Sequence, residues 1–218
     1  MRIVEPDFAR MIDLPGVGLC PRPVDIDQSV TGFSDLVSLR VYTFAPDMII
    51  NGEAEEDELF IVLLRGTVDV DVAGAATKSF SLQTEGGPAA IYLPPHDRYR
   101  LHARSEADVA YARGRPKDDN AKMARAFDSE DGRVAVIGYA GSLNIALTTR
   151  TFGTDQVLSE LCNSPVERLV HIRSADCGVF LVAGQTLHDW QTLALDENQP
   201  GEIGEASSSA TVLVLAAT

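Results

Sequence analysis

The stretch ELFIVLLRGTVDVDVAG, residues 58–74, contains two successive β-strand patterns that differ in how many of their faces are predicted to be buried. In its second half Val68, Val70 and Val72 fall on one face of a strand, and the aspartates between them fall on the other. Because successive side chains of a strand point to opposite faces, this alternation predicts one buried face and one wet face. The first half, LFIVLLR, is apolar almost throughout, which predicts a strand covered on both sides.

Outward from this stretch, short β-rich runs recur about every eight to twelve residues between Gly, Pro, Asp and Asn, a rhythm typical of all-β proteins. In the first half they span residues 36–44, 59–65, 67–73, 89–93, 98–103 and 108–113. A charged segment without β-branched residues follows, and the rhythm then resumes. The sequence therefore predicts an N-terminal arm (1–27), a first barrel (28–113), a connection (114–132) and a second, smaller barrel (133–218).

Composition excludes several classes of function. The chain has 218 residues, 45% of them apolar, which is enough to form a core. A formal charge of −14 predicts that neither nucleic acid nor an anionic membrane surface is a partner. No apolar run approaches the roughly 18 residues of a membrane span, and the acidic N-terminal stretch does not resemble a signal peptide, so a cytoplasmic location is expected. Cys20, Cys162 and Cys177 lack metal-like or redox-like spacing and are interpreted as reduced thiols.

The stretch above, followed by GGPAAIYLPPHDRYRLHA (86–103), resembles the cupin plan of two motifs on neighbouring strands. Within cupins, VLLRGTVDV, AIYLPP and EADVAYARGRP are similar to the amino-terminal barrel of the 5-deoxyglucuronate isomerase family, and VAVIGYAGSLNIALTTRTFG resembles its entry into the second barrel. The resemblance implies an all-β fold of two tandem cupin-like jelly-roll barrels. It also implies descent from a metal-assisted aldose–ketose isomerase of inositol breakdown.

The metal ligands that the resemblance implies are missing. Metal-dependent cupins use a His, x, His pair and an acidic residue in the first motif, with a further His in the second. Residues 51–60 contain no His, although Glu58 occupies the acidic position, and Tyr99 stands at the second-motif His position. In the second half His171 and His188 fall on different predicted strands or turns. We therefore expect no metal and no other cofactor, and no catalytic residue is assigned.

Candidate ligand-binding residues cluster around the strand RYRLHA. Alternation places Tyr99 with Leu101 and Ala103, and in a cupin register this face points into the barrel. His102 falls on the opposite face, and His96 lies on a turn at the barrel mouth. We select the following residues as candidates for ligand binding: Tyr99, His96, Tyr92, Glu58 and Arg40.

Two further features have alternative interpretations. Arg40 and Arg150 each interrupt an apolar strand; a solvent-facing position is favoured, but an inward one would bind a carboxylate by a bidentate pair. The acidic run formed by Glu53, Glu55, Glu56, Asp57 and Glu58 is interpreted as a solvated loop, with a hard-cation site as the alternative.

Three functions remain open. The first is an enzyme or former enzyme of sugar-acid metabolism, as the family resemblance implies. The second is a metal-free module that binds a small ligand such as a sugar acid or another carboxylate, without catalysis; a double-cupin accessory family of histidine utilisation is its nearest analogue. In the second half, a weaker candidate site consists of His171 and His188 with Asp189 and Trp190; Trp190 is interpreted mainly as core packing and His188 as a turn residue. The third function is homodimerisation alone, and a homodimer is expected in any case.

Overall fold

A computed structural model describes residues 1–84, 86–117, 123–130, 133–138, 143–148, 156–173, 180–202 and 211–217. Arg150 and Cys177, which were singled out in the sequence, lie outside these residues. Strands make up 58% of the described part and helices 7%.

Thirteen strands and one short helix make up the first half and the arm. They are β1 (Arg2–Val4), β2 (Met11–Leu14), β3 (Gly18–Pro21), β4 (Val24–Asp27), α1 (Gln28–Thr31), β5 (Leu36–Phe44), β6 (Ile49–Glu53), β7 (Glu58–Arg65), β8 (Thr67–Ala73), β9 (Lys78–Gln83), β10 (Pro88–Leu93), β11 (Arg98–Ala103), β12 (Ala107–Gly114) and β13 (Arg125–Asp128).

The second half contributes the remaining described elements. They are β14 (Arg133–Val136), β15 (Leu143–Thr148), α2 (Gln156–Asn163), β16 (Arg168–Arg173), β17 (Phe180–Val182), β18 (Gln185–Leu187), β19 (Thr192–Leu195) and β20 (Thr211–Ala217).

The first barrel consists of two sheets, one with the order β13-β10-β7-β12-β5-β4 and one with the order β6-β11-β8-β9. All neighbouring strands in both sheets are antiparallel. Alternate side chains of the two sheets meet in a first-barrel core that includes Ile61, Leu63, Val70, Leu101 and Val109, all with no exposed surface. The predicted alternation in TVDVDVA is confirmed, because the three valines are buried while the aspartates are not.

The described part of the second barrel is a six-stranded sheet with the order β1-β19-β16-β20-β15-β14, a β17-β18 pair and helix α2. The helix packs its apolar side, with Leu158 and Leu161, against strand residues such as Val170 and Val214.

The two six-stranded sheets face each other across an inter-barrel core. It contains side chains from both halves, including Val41, Phe60 and Val62 of the first barrel and Ile145 and Leu215 of the second. Strand β7 therefore contributes to two cores, since its odd-numbered residues face the first-barrel core and its even-numbered residues face the inter-barrel core. The prediction that LFIVLLR is covered on both sides is confirmed.

Among the described residues, strand pairing crosses the predicted segment boundaries in three places. In the arm, β1 pairs with β19 of the second barrel, with Ile3 opposite Leu193. In the connection, β13 pairs with β10 of the first barrel. The arm thus joins both halves, since β4 at its end pairs with β5.

Glu167, which precedes β16, ties the second barrel to the first through its carboxylate. It accepts hydrogen bonds from the backbone N–H groups of Ser34, Asp35 and Leu36, the last at 3.0 Å. Burial alone would raise the pKa of Glu167, but the backbone donors outweigh this effect and the net pKa is lowered.

Candidate functional site

The mouth of the first barrel contains an inner cavity of about 100 Å³. Strand alternation brings its walls together, because Arg40, Tyr42 and Phe44 share the inward face of β5 while Tyr111 and Arg113 share that of β12. The two strands are paired, with Tyr111 directly opposite Arg40. The lining residues of the inner cavity are Leu14, Arg40, Tyr42, Phe44, Ile50, Asn51, Tyr99, Tyr111 and Arg113.

This lining favours an anion. It includes two guanidinium groups, three phenols and one amide, and no carboxylate from the described residues. The aromatic rings support one another, since the Tyr111 ring lies 5.4 Å from that of Tyr42 and 5.9 Å from that of Tyr99, centroid to centroid. Aromatic pairs at these distances stabilise their own geometry, so the phenols form a fixed wall.

The Tyr111 hydroxyl is the least satisfied group in this wall. The side chain is 6% exposed, and the hydroxyl makes no hydrogen bond of acceptable geometry with the described residues. The Tyr99 phenol is nevertheless close enough to act on its pKa both electrostatically and as a hydrogen-bonding neighbour. Burial raises the pKa of Tyr99 to about 12 and raises that of Tyr111 well above its ordinary value. Both phenols therefore stay protonated at neutral pH and serve as hydrogen-bond donors.

Arg40 has donors to spare. Its Nε pairs with Oδ1 of Asp25 at 3.3 Å, and it makes no other hydrogen bond within the described part of the chain. Asp25 also accepts from Arg22 at 2.7 Å, and Arg22 donates to the Tyr42 hydroxyl at 3.0 Å. This network fixes one edge of the Arg40 guanidinium and leaves the Nη groups for another acceptor.

Arg113, by contrast, is fully engaged by the acidic run. It donates to the backbone carbonyls of Glu53 and Ala54, and its Nη1 lies 3.3 Å from Glu55 and 3.5 Å from Asp57. The acidic side chains of this loop thus compensate a guanidinium, an arrangement that favours the loop interpretation over a cation site.

An outer cleft of about 340 Å³ adjoins the inner cavity, and Arg40 and Arg113 line both. Its lining residues are Asp27, Gln28, Ser29, Val37, Ser38, Arg40, Glu55, Asp57 and Arg113. The outer cleft differs from the inner cavity because its lining includes three carboxylates. Hydrogen-bond acceptors therefore predominate in the outer cleft, whereas donors predominate in the inner cavity. Burial raises the pKa of Asp57, although Arg113 opposes this effect.

Of the five residues proposed as ligand-binding, the structure brings two together. Tyr99 and Arg40 both line the inner cavity, and Tyr99 points inward as predicted. Arg40 lies on the inward face of β5 at the barrel mouth, and 38% of its side chain is exposed, so it lines the cavity and also reaches solvent, the position that the sequence favoured.

The other three lie elsewhere. Tyr92 is fully buried in the inter-barrel core, and its hydroxyl donates to Oε1 of the buried Glu58 at 3.2 Å. His96 is exposed on the turn after β10, with φ of 68°. None of the three lines the cavity, and their role in ligand binding stays an untested prediction.

Sequence reasoning missed Tyr42, Tyr111 and Arg113. The signal was present in DVAYARG, where Tyr111 and Arg113 alternate with alanines. It did not identify the inward face, because β12 is buried on both sides.

Comparison with known proteins places this site within a family. The KduI/IolB family matches residues 22–144, more than half of the chain, and the match includes every lining residue of the inner cavity except Leu14. The chain belongs to the KduI/IolB family. A comparison with curated protein sequences gave no match.

Solved structures agree with this family assignment at the level of the fold. An IolB-like protein of Salmonella typhimurium LT2 has a TM-score of 0.64 at 12% identity, over 90% of this chain and 88% of its own. The pirin YhhW of Escherichia coli, in complex with nickel(II), has a TM-score of 0.65 at 15% identity, over 99% and 98%. A cupin 2 conserved barrel domain protein of Leptotrichia buccalis has a TM-score of 0.52 at 11% identity, over 100% and 96%. The predicted fold class, an all-β fold of cupin-like barrels, is confirmed.

The family resemblance implies a metal in the second barrel, and the described residues there do not fit one. His171 is fully buried, but its Nδ1 is paired with Thr192 Oγ1 at 3.0 Å and its ring lies beside Trp190, 6.3 Å between centroids. His188 is exposed at a turn. Within the described ranges, no three His, Cys, Asp or Glu side chains come together as a metal would require.

Neither described helix combines the length and hydrophobicity that crossing a membrane requires.

Proposed function

We propose that the chain is a small-ligand-binding bicupin that recognises a carboxylate, such as a sugar acid, at the mouth of its first barrel. The observation that carries this proposal is the Arg40 guanidinium, which has free Nη donors in a cavity whose described lining contains no carboxylate. A planar guanidinium matches a carboxylate in a bidentate pair, and such charge-assisted bonds are the strong ones.

The phenols complete the recognition. Burial raises the pKa of Tyr99 and Tyr111, so both stay neutral at physiological pH. The Tyr99 phenol, which lines the inner cavity, would supply an O–H donor to a bound anion. The Tyr111 hydroxyl has almost no accessible surface, so Tyr111 serves as the rigid support beside Tyr99.

Isothermal titration of the purified chain with D-glucuronate tests the proposal, with D-glucose as the uncharged control. We expect binding of D-glucuronate alone, and a loss of about tenfold to a hundredfold in affinity for Arg40→Gln, the range for a charge-assisted bond. Arg40→Lys keeps the charge but cannot form a bidentate pair, so its affinity for D-glucuronate should lie between those of the native chain and Arg40→Gln. Equal binding of glucose and glucuronate, or an unchanged affinity in Arg40→Gln, would contradict the proposal.

The second candidate function is sugar-acid isomerisation, which membership of the KduI/IolB family supports. Incubation of the chain with 5-deoxyglucuronate, with and without added divalent transition metal, tests it by following the aldehyde proton by NMR. Conversion above the rate in buffer with the same metal would establish an isomerase.

The proposal retains the expectations drawn from composition: a cytoplasmic homodimer that binds neither nucleic acid nor membranes. Light scattering coupled to size exclusion would test the dimer directly, since a mass near that of one chain would contradict it.

A further inference from the structure

A hairpin of the N-terminal arm forms one wall of the inner cavity. Its strands β2 and β3 pair with each other, with Ile12 opposite Cys20, and with no other strand among the described residues. We call residues 11–21 the arm hairpin. Its inner face carries Leu14, which lines the cavity, and Cys20, which is fully buried in the first-barrel core. Its outer face carries Leu19, which is 64% exposed.

The arm hairpin is the least firmly attached wall of the cavity. Every other lining residue belongs to β5, β6, β11 or β12, which are hydrogen-bonded into the two sheets of the first barrel. Within the described part of the chain, the arm hairpin makes no backbone hydrogen bond to these strands. Its one side-chain hydrogen bond to the barrel joins the Cys20 thiol to the Met48 sulfur at 3.8 Å. Because a thiol is a weak donor and a thioether a weak acceptor, apolar packing is what holds the hairpin in place.

The size of the inner cavity requires one of its walls to move when a ligand binds. Sites for small ligands usually enclose roughly 300–1,000 Å³, whereas the inner cavity measures about 100 Å³. The barrel strands cannot separate without breaking the hydrogen bonds between them. The arm hairpin can lift with the loss of apolar packing alone, chiefly that of Leu14, Val17 and Cys20. It is therefore the wall that opens most easily.

The base of the arm hairpin is tied to the carboxylate that also holds Arg40. Asp25 accepts from Arg22 Nη2 at 2.7 Å and lies 3.7 Å from Arg10 Nη1, and these two arginines flank the hairpin in sequence. Their backbones are joined as well, since the N–H of Arg22 donates to the carbonyl of Arg10 at 3.0 Å. The base thus acts as a hinge, and the turn at residues 15–17, next to the cavity-lining end of β2, is the free end.

We propose that the arm hairpin is a gate that opens to admit the carboxylate ligand and closes over it, with Leu14 as the contact that seals the cavity. This inference rests on the proposed function, because Arg40 binds the ligand. Linkage makes the effect reciprocal: closure strengthens binding by the same factor by which the ligand favours the closed hairpin. The arm hairpin lies outside residues 22–144, so the gate does not follow from the family assignment.

Hydrogen exchange tests the closing step, with D-glucuronate as the ligand. At ten times its dissociation constant, D-glucuronate should slow the exchange of the amides of residues 11–21 about tenfold, because exchange then requires the unliganded, open form. The amides of the edge strand β9, residues 78–83, lie outside the cavity and should exchange at an unchanged rate. Mass spectrometry of peptides from the full native chain measures both.

Binding rates test the opening step. NMR line shapes recorded during titration with D-glucuronate give kon and koff for the native chain and for two variants. Leu14→Ala removes the seal, so kon and koff should both increase about three- to tenfold while Kd changes less. Leu19→Ala is the matched control, because it makes the same change on the outer face of the same hairpin, and it should keep the native rates. Thermal unfolding shows whether each variant is folded.

The outcomes separate the gate from the proposed function. If calorimetry shows that D-glucuronate binds while the exchange of the arm hairpin is not slowed, the carboxylate site stands and the gate is overturned. An increase in koff alone in Leu14→Ala would also overturn it, because a ligand that enters through the outer cleft loses only a wall contact. If the native chain binds no D-glucuronate, the proposed function fails and the gate fails with it.

Discussion

Arg173 of the second barrel donates its Nε to Oδ2 of Asp108 in the first barrel at 2.9 Å. Asp108 has no exposed surface, and its carboxylate also accepts from Arg65 Nε at 3.0 Å and from Thr43 at 2.9 Å. The pair joins the ends of β16 and β12, so it fixes one barrel against the other. The guanidinium of Arg173 also lies over the Trp190 ring, 4.3 Å from its centroid.

Asp108→Ala should lower the free energy of unfolding by about 3 kcal/mol, because it removes the acceptor from two guanidinium groups, one of them largely buried. Urea denaturation at pH 7 measures the loss. The control is Asp71→Asn, whose pair with Arg100 is half exposed at 4.0 Å and should contribute less than about 1 kcal/mol. Similar losses for the two variants would show that the buried pair does not hold the barrels together.

Glu167 predicts an acid-sensitive contact between the barrels. Its pKa is lowered from an ordinary value of 4.5, so its contribution is fully present above that value and is lost as pH falls through the lowered native pKa. Glu167→Gln should lose about 1–3 kcal/mol at pH 7, since its amide provides one acceptor oxygen where the carboxylate provided two. In urea denaturation at pH 7, 5 and 4, the free energy of unfolding of the variant should fall less with decreasing pH than that of the native chain. An equal decrease in the two proteins would contradict this assignment.

His171 should make stability fall at mildly acidic pH. Burial, followed by the nearby Arg173, lowers its pKa from 6.5 to about 3, so below pH 6.5 the unfolded chain binds a proton that the native chain does not. Stability therefore decreases by about 1.4 kcal/mol per pH unit between roughly pH 6 and 4 from this residue.

The variant His171→Leu should remove that slope, whatever its effect on absolute stability through the lost bond to Thr192. His96→Asn is the matched control, because His96 is exposed and asparagine tolerates its positive φ. The idea fails if the unfolding free energy of His171→Leu depends on pH as steeply as that of the His96→Asn control.

Gly52 should be sensitive to a single added carbon. It lies opposite Tyr99 in the β6–β11 pair, and a Cβ built there would overlap the Tyr99 ring and hydroxyl. Gly52→Ala should displace the phenol and weaken carboxylate binding about tenfold, the effect of one lost hydrogen bond. A double-mutant cycle with Tyr99→Leu checks the cause, because the stability cost of Gly52→Ala should shrink once the ring is gone. If the stability costs of the two substitutions simply add, the clash caused by Gly52→Ala does not involve the Tyr99 ring.

The sequence predicted correctly those strands that have one wet face. In β8 and β11 the alternation itself shows which side is buried, because the charged residues mark the solvent side. Tyr99 could be placed inward on this basis together with the cupin register. The family assignment rests on the same part of the chain, since the match covers residues 22–144.

The rest of the site could not be predicted from the sequence, because it lies on strands that are buried on both faces. The two-residue repeat of a strand shows which residues of β10 and β12 share a face. It does not show which face points into the cavity, because both faces of each strand are buried. Tyr92 consequently lies in the inter-barrel core and Tyr111 in the cavity, although both are aromatic residues on similar strands. Arg40 was assigned to solvent for a related reason, because the Asp25 that accompanies it comes from a different strand.

The pairing of β1 with β19 has a consequence for the order of folding. Arg2–Val4 joins residues at Thr192–Ala194, so nearly the whole chain separates the two partners, and loop closure over such a distance is slow compared with local pairing. The paired strands β8 and β9 of the first barrel are close in sequence, so we expect them to pair earlier. We therefore expect the N-terminal strand to pair late. Until β1 is in place, β19 is an unpaired edge strand through which the second sheet can pair with another chain.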